Sequence, residues 1–265
     1  MQSQGRSALR RGLSMNLDTT QTVREVALNI PGATRVFEKL GIDYCCGGNK
    51  LLEQACGEAK LQIQQVIESL ESAAVAERER KEVVPGQQHG DWLRAQLVDL
   101  VAHIKSTHHK YVKSEIARLR PLFDRVCNVH GSQHPELLTI RSTFYALAQE
   151  LATHMLKEEM VLFPYIGRME EATIAGEPVL PGPFGNINKP VEAMIHDHDS
   201  AGDMLSKMRK LSNGYQPPQG ACTSYKTLYG AMAEFERDLH QHVHLENNIL
   251  FPRAIEMEQK HQCQH

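Results

Sequence analysis

Two eleven-residue segments carry the side chains best able to do chemistry. Residues 154–164 read His-Met-Leu-Lys-Glu-Glu-Met-Val-Leu-Phe-Pro, and residues 242–252 read His-Val-His-Leu-Glu-Asn-Asn-Ile-Leu-Phe-Pro. Both follow His-x3-Glu-x3-Leu-Phe-Pro. On an α-helix, residues four apart lie only ~40° apart around the axis, so each segment offers an imidazole and a carboxylate on one face. That pairing suits metal ligation or proton transfer. Histidines also precede each copy: the pair His108-His109 ends 45 residues before His154, and His198 lies 44 before His242. The second half of the chain is a duplicated helix pair.

Helical phase decides which of these groups point inward. On the second long helix Leu137, Ile140, Phe144, Leu147, Leu151, Met155, Leu162 and Tyr165 form an apolar stripe. Glu158 falls near its middle, His154 within ~50° of it and Glu159 off its edge. On the fourth, Leu228, Phe235, Leu239, Ile249 and Leu250 bracket His242 and Glu246. His240 and His244 lie ~200° from His242 and are expected to face away. His198 shares a face with Val191, Met194, Ile195, Ala201 and Leu205, whereas His196 sits among Glu192, Asp199 and Asp203. On the first helix the stripe is centred nearer His108 than His109, so periodicity favours His108.

A lone inward histidine is ordinarily a satisfied core residue. Two glutamates centred in apolar stripes are different, because an unpaired buried carboxylate is costly and must take a proton, a cation or a metal. No Lys or Arg occupies regular positions on those stripes. Four histidines and two glutamates from four helices exceed the ligand set of one zinc, which points to two metals. Imidazole and carboxylate without thiolate suit iron or manganese, and zinc also fits. If both carboxylates bridge, each metal receives two nitrogens and two oxygens, leaving positions for an oxo or hydroxo bridge and a small ligand. Ferritin-like proteins use Glu-x-x-His. That pattern occurs here only as Glu258 to His261, in the tail, so the centre resembles haemerythrin instead.

The elements that must hold these residues are helical almost throughout. Four long helical patterns lie at about 91–120, 135–171, 188–213 and 220–260, separated by Pro/Gly-rich connections. They predict an all-α fold, an antiparallel four-helix bundle. Ahead of it, residues 18–81 read as a small helical domain containing the turn Asp43-Tyr44-Cys45-Cys46-Gly47-Gly48, with residues 82–90 as linker and 1–17 as a disordered extension in which Met15 is a candidate start. Twenty-nine Lys and Arg against 32 Asp and Glu give a net charge of -3. That balance argues against a nucleic-acid grip, and no apolar run is long enough for a membrane span. The six cysteines show no paired disulfide spacing, and no secretory signal precedes them, which favours a reducing, cytoplasmic setting.

Taken with the Asp-Tyr-Cys-Cys-Gly-Gly turn, the motifs at 154–159 and 245–254 make the chain from about 22 to 256 resemble the Repair of Iron Centres family, the ScdA/YtfE-type di-iron proteins. The resemblance implies a haemerythrin-like bundle behind a small N-terminal domain, with two iron ions held by His109, His154, Glu158, His198, His242 and Glu246. At the first helix it places the ligand at His109, against the periodicity. It further implies repair of iron–sulfur clusters damaged by oxidative or nitrosative stress through donation of iron, a maintenance activity rather than turnover catalysis. Damaged iron–sulfur proteins would be the partners, nitric oxide or dioxygen the small ligands, and a homodimer the assembly. Reversible binding or sensing of those gases, or reduction of nitric oxide, are the competing functions. Cys45 and Cys46 read either as small residues filling a turn or as thiols handling redox chemistry or iron. Cys56, Cys127, Cys222 and Cys263 read as incidental.

Overall fold

The computed structural model describes residues 20–83 and 91–262, and among these the chain is helical, with two isolated bridges and no strand. The chain divides into two compact units at Gln87. The expected extension and residues 84–90 of the expected linker lie outside the described residues.

In the first unit, α1 (Val23–Asn29) opens on a capping box. The Thr22 hydroxyl accepts from the Glu25 amide at 3.2 Å, and the Glu25 carboxylate accepts from the Thr22 amide at 2.8 Å. Next, α2 (Ala33–Leu40) starts at Gly32 and stops at Gly41, whose φ of 81° and 70° are left-handed values that only glycine adopts freely. Two more helices follow, α3 (Leu52–Glu58) and α4 (Ile63–Val83). α3 lies where the sequence pattern assigned no helix. Val23, Val26, Phe37, Leu52 and Leu70 form the core of this unit.

The second unit is a four-helix bundle. Its first rod joins α5 (Leu97–Ile104) to α6 (Lys110–His130) through a wide π turn, Lys105–His109. The second joins α7 (Glu136–Lys157) to α8 (Phe163–Ala175) through Glu158–Leu162. The third is α9 (Asn188–Leu211), and the fourth joins α10 (Thr223–Leu245) to α11 (Phe251–Gln262) through Glu246–Leu250. The first rod thus starts and ends later than expected, running on through Pro121. α6 packs on α7 and α10, and α7 on α9. Phe144 centres the core, its ring 4.8 Å from Phe123 and 5.5 Å from Phe235.

The repeated Leu-Phe-Pro accounts for two of the π turns. Proline has no N–H, and its ring crowds the carbonyl four residues back. Here the preceding Phe163 and Phe251 amides reach five residues back instead, to the carbonyls of Glu158 and Glu246. Each widened turn carries one extra residue in the helix at a proposed ligand.

Two rods are capped from a distance. The Glu170 carboxylate accepts from the Leu97 and Val98 amides at 2.7 and 2.8 Å, and Glu258 accepts from the Ile187 amide at 3.1 Å and from the Tyr165 hydroxyl at 2.7 Å. Glu258 is therefore no free tail residue; it is buried. Glu170 and Glu258 each lie twelve residues beyond Glu158 and Glu246, so the duplication includes its caps. Glu170→Ala leaves two helix-terminal donors without their acceptor and is expected to destabilise the protein by about 1–3 kcal/mol. Denaturant unfolding checks this, and an unchanged midpoint would remove the cap from the account.

Candidate metal centre

The two repeats place their chemistry at one level of the bundle. His109 closes the first π turn, Glu158 and Glu246 open the other two, and His154, His198 and His242 lie on α7, α9 and α10. All six are buried, with the two glutamates wholly inaccessible. They form two donor groups, His109–Glu158–His242–Glu246 and His154–Glu158–His198–Glu246, within each of which the ligand atoms lie within 4.8 Å of one another. Both glutamates belong to both groups.

Each imidazole turns Nε2 inward. His109 Nε2 is 3.2 Å from His242 Nε2, and His198 Nε2 is 3.0 Å from His154 Nε2. One oxygen of Glu158, Oε2, lies 3.4 Å from His109 Nε2 and 3.3 Å from His154 Nε2. Glu246 divides its contacts, Oε1 to His242 Nε2 at 3.0 Å and Oε2 to His198 Nε2 at 3.2 Å. The motif phenylalanines close the site: Phe163 stacks on His109 at 5.7 Å and Phe251 on His198 at 6.1 Å.

The outer nitrogens reveal residues that sequence reasoning missed. His109 Nδ1 meets Glu159 at 2.7 Å, itself bonded by Lys113. His154 Nδ1 meets Asp197 at 3.3 Å, which Lys157 also holds. His198 Nδ1 meets Asn247 at 2.8 Å. Such partners fix the tautomer and orientation of a ligating ring. The signal was present for Glu159, one residue off the stripe where an outer partner must stand.

Periodicity misplaced two histidines. His108 is buried but belongs to neither donor group; its Nδ1 meets Asp238 at 3.0 Å and its ring stacks on His242. The π turn at Lys105–His109 carries the reason: its extra residue shifts the phase, so that His109 takes the place a regular helix would give His108. His244, expected to face away, is buried and bonded to Asn248 at 2.9 Å. His196 is exposed, as its polar face implied.

The donor set fits metal. Both oxygens of Glu158 and Oε2 of Glu246 are buried without a well-formed hydrogen bond, a costly state unless a cation completes it. Burial by itself would lower the His109 and His154 pKa values, but Glu158 and Glu246 override it and raise them to about 10 and about 9. Burial keeps His242 below its ordinary value. The glutamates, which burial and mutual repulsion would raise, are held low by the surrounding histidines. His109 and His154 therefore carry protons at pH 7 when no metal is bound, and a metal taking their Nε2 atoms would displace them. Their contribution to the metal-free fold is complete below about 6.5 and fades as pH rises through about 9–10. Metal uptake at pH 7 is expected to release about two protons per chain, read from the dependence of calorimetric enthalpy on buffer ionisation. Uptake independent of buffer contradicts it.

In the first unit, Asp43 Oδ1 accepts from the Cys45 and Cys46 amides at 3.1 and 3.0 Å, and from the Cys45 thiol at 3.3 Å. The two sulfurs are 3.9 Å apart, and neither cysteine is in a disulfide. The Cys46 sulfur and burial push the Cys45 thiol well above the ordinary range. Asp43, Cys45 and Cys46 form a third group with metal-holding spacing. No helix among the described residues is long and apolar enough to cross a membrane.

Comparison with known proteins agrees with this architecture. Residues 100–254 match the hemerythrin HHE cation binding domain, and residues 19–74 match the ScdA N-terminal domain of unknown function. The iron-sulfur cluster repair protein YtfE of Pectobacterium atrosepticum is 34% identical over 235 residues, covering 89% of this chain and 96% of the relative. YtfE of Edwardsiella ictaluri is 35% identical over 231 residues, covering 87% and 95%, and that of Yersinia pestis is 32% identical over 235 residues, covering 89% and 96%. With both of its units matched and curated relatives aligned along nearly their whole length, the chain belongs to the ScdA/YtfE-type Repair of Iron Centres family.

Proposed function

We propose that this protein holds two iron ions, joined by an oxo or hydroxo bridge, between His109, His154, Glu158, His198, His242 and Glu246, and donates iron to iron–sulfur clusters damaged by oxidative or nitrosative stress. The observation that carries the reading is the sharing of both buried glutamates by two four-residue donor groups. Iron bound there would supply redox-active, Lewis-acidic ions able to take small ligands such as nitric oxide or dioxygen. The chain's residues supply the rest. Glu159, Asp197 and Asn247 hold three rings in one tautomer, and Phe163 and Phe251 cover two of them against water. A centre with only two carboxylates for two ions suits release better than permanent storage. Cys45 and Cys46, with Asp43, are proposed to handle iron or redox equivalents in the first unit. The relatives' names carry the same activity.

The test is reactivation of a [4Fe–4S] dehydratase inactivated by peroxide or nitric oxide. Iron-loaded protein should restore activity with loss of iron from the bundle, and the metal-free protein should not. Reactivation with the iron still fully bound overturns donation.

A further inference from the structure

The two donor groups are not equivalent in what stands behind them. In the group of His154 and His198, each outer nitrogen has a partner, Asp197 and Asn247. In the group of His109 and His242, only His109 has one, Glu159. His242 Nδ1 is buried and makes no hydrogen bond among the described residues. What lies against that ring is a stacked imidazole, His108, at 5.7 Å and 7° between planes. A ring with no outer partner lacks the hydrogen bond that would fix its tautomer and make it more basic, and losing such a partner typically costs a metal ligand 10–100-fold in affinity.

A second observation lies on the same side. Asp238 stands one helical turn before His242 on the same face of α10. Its Oδ1 meets His108, while its Oδ2 is buried with no hydrogen-bond partner among the described residues. Beyond His108, His103 stands edge-on at 5.7 Å, and it stacks in turn on Trp92 at 4.6 Å. His103 and Trp92 are half-buried. A carboxylate oxygen and two imidazoles thus lead from the least-supported ligand toward solvent.

We infer that the iron held by His109, Glu158, His242 and Glu246 is the one released first, through detachment of His242 and passage along Asp238 and His108, while the iron held by His154 and His198 stays behind. This rests on the proposed ligand set and identifies the cargo within it. The step is ligand exchange, with no change of oxidation state.

The experiment is anaerobic release of iron(II) from the loaded full chain to a ferrous chelator, followed optically. Release should be biphasic with equal amplitudes, the phases separated by about 10-fold or more. Asn247→Ala should speed only the slow phase and Glu159→Gln only the fast one. Asp238→Asn should slow the fast phase without changing the amount loaded. A single phase for both irons, or a fast phase that responds to Asn247→Ala, overturns the inference while leaving the ligand set standing. A fast phase indifferent to Asp238→Asn overturns the route. A chain that loads fewer than two irons overturns both this inference and the ligand set beneath it.

Discussion

Replacing Glu246 by leucine should take the metal content of the loaded protein from about two ions per chain to background, not to one. The reason is geometric. Its Oε1 lies beside His242 and its Oε2 beside His198, so one substitution removes an oxygen from each donor group. The metal-free variant should be less stable at pH 7, by about 3–5 kcal/mol, because removing one partner of a buried charged cluster leaves the histidines it faced without their counter-charge. Metal analysis after anaerobic loading, with thermal unfolding in chelator, reads both parts. Retention of one ion would show that the glutamates are not shared. An unfolded variant is answered by Glu246→Gln, which keeps volume and polarity while lacking the charge that holds the pair.

The second large effect separates two adjacent histidines. His109→Leu is expected to empty the His109–His242 group and leave one ion in the other, whereas His108→Leu should keep both. The loss at His109 should exceed the 10–100-fold typical of residues behind a ligand. Metal-free His109→Leu should also be less stable at pH 7, by about 3–5 kcal/mol, because two buried carboxylates then face one proton-bearing imidazole fewer. Loading and denaturant unfolding of the two variants side by side provide the check. Loss of metal from His108→Leu with retention in His109→Leu would restore the plain periodic reading of the first helix.

That pair of histidines also marks where the sequence stopped being legible. The bundle, its four rods and the inward faces of His154, Glu158, His198, His242 and Glu246 followed from apolar spacing, because packing enforces that spacing. His109 did not, since a π turn is set by backbone hydrogen bonds and leaves no residue signature at Lys105–His109. Where Pro164 and Pro252 follow the turn, its cause is visible in the residues, but the periodicity does not announce it. Glu258 looked like a tail residue because its partner, the Ile187 amide, is 71 positions away. Asp197 and Asn247 were invisible for a related reason: each sits beside a ligand in sequence yet serves a ligand on another rod.

The way the two donor groups draw on the duplicated halves has a mechanical consequence. The first half supplies His109, His154 and Glu158, the second His198, His242 and Glu246, and each group takes two residues from each half. Neither half alone supplies a complete donor group. Meanwhile Glu170 ties α8 to the start of its own half, and Glu258 does the same for α11. Ions bound as proposed would thus cross-link two self-closed hairpins, and giving one up would remove one of the links. On that proposal spent protein would be looser between its halves than loaded protein, a difference in stiffness that limited proteolysis with and without metal would read.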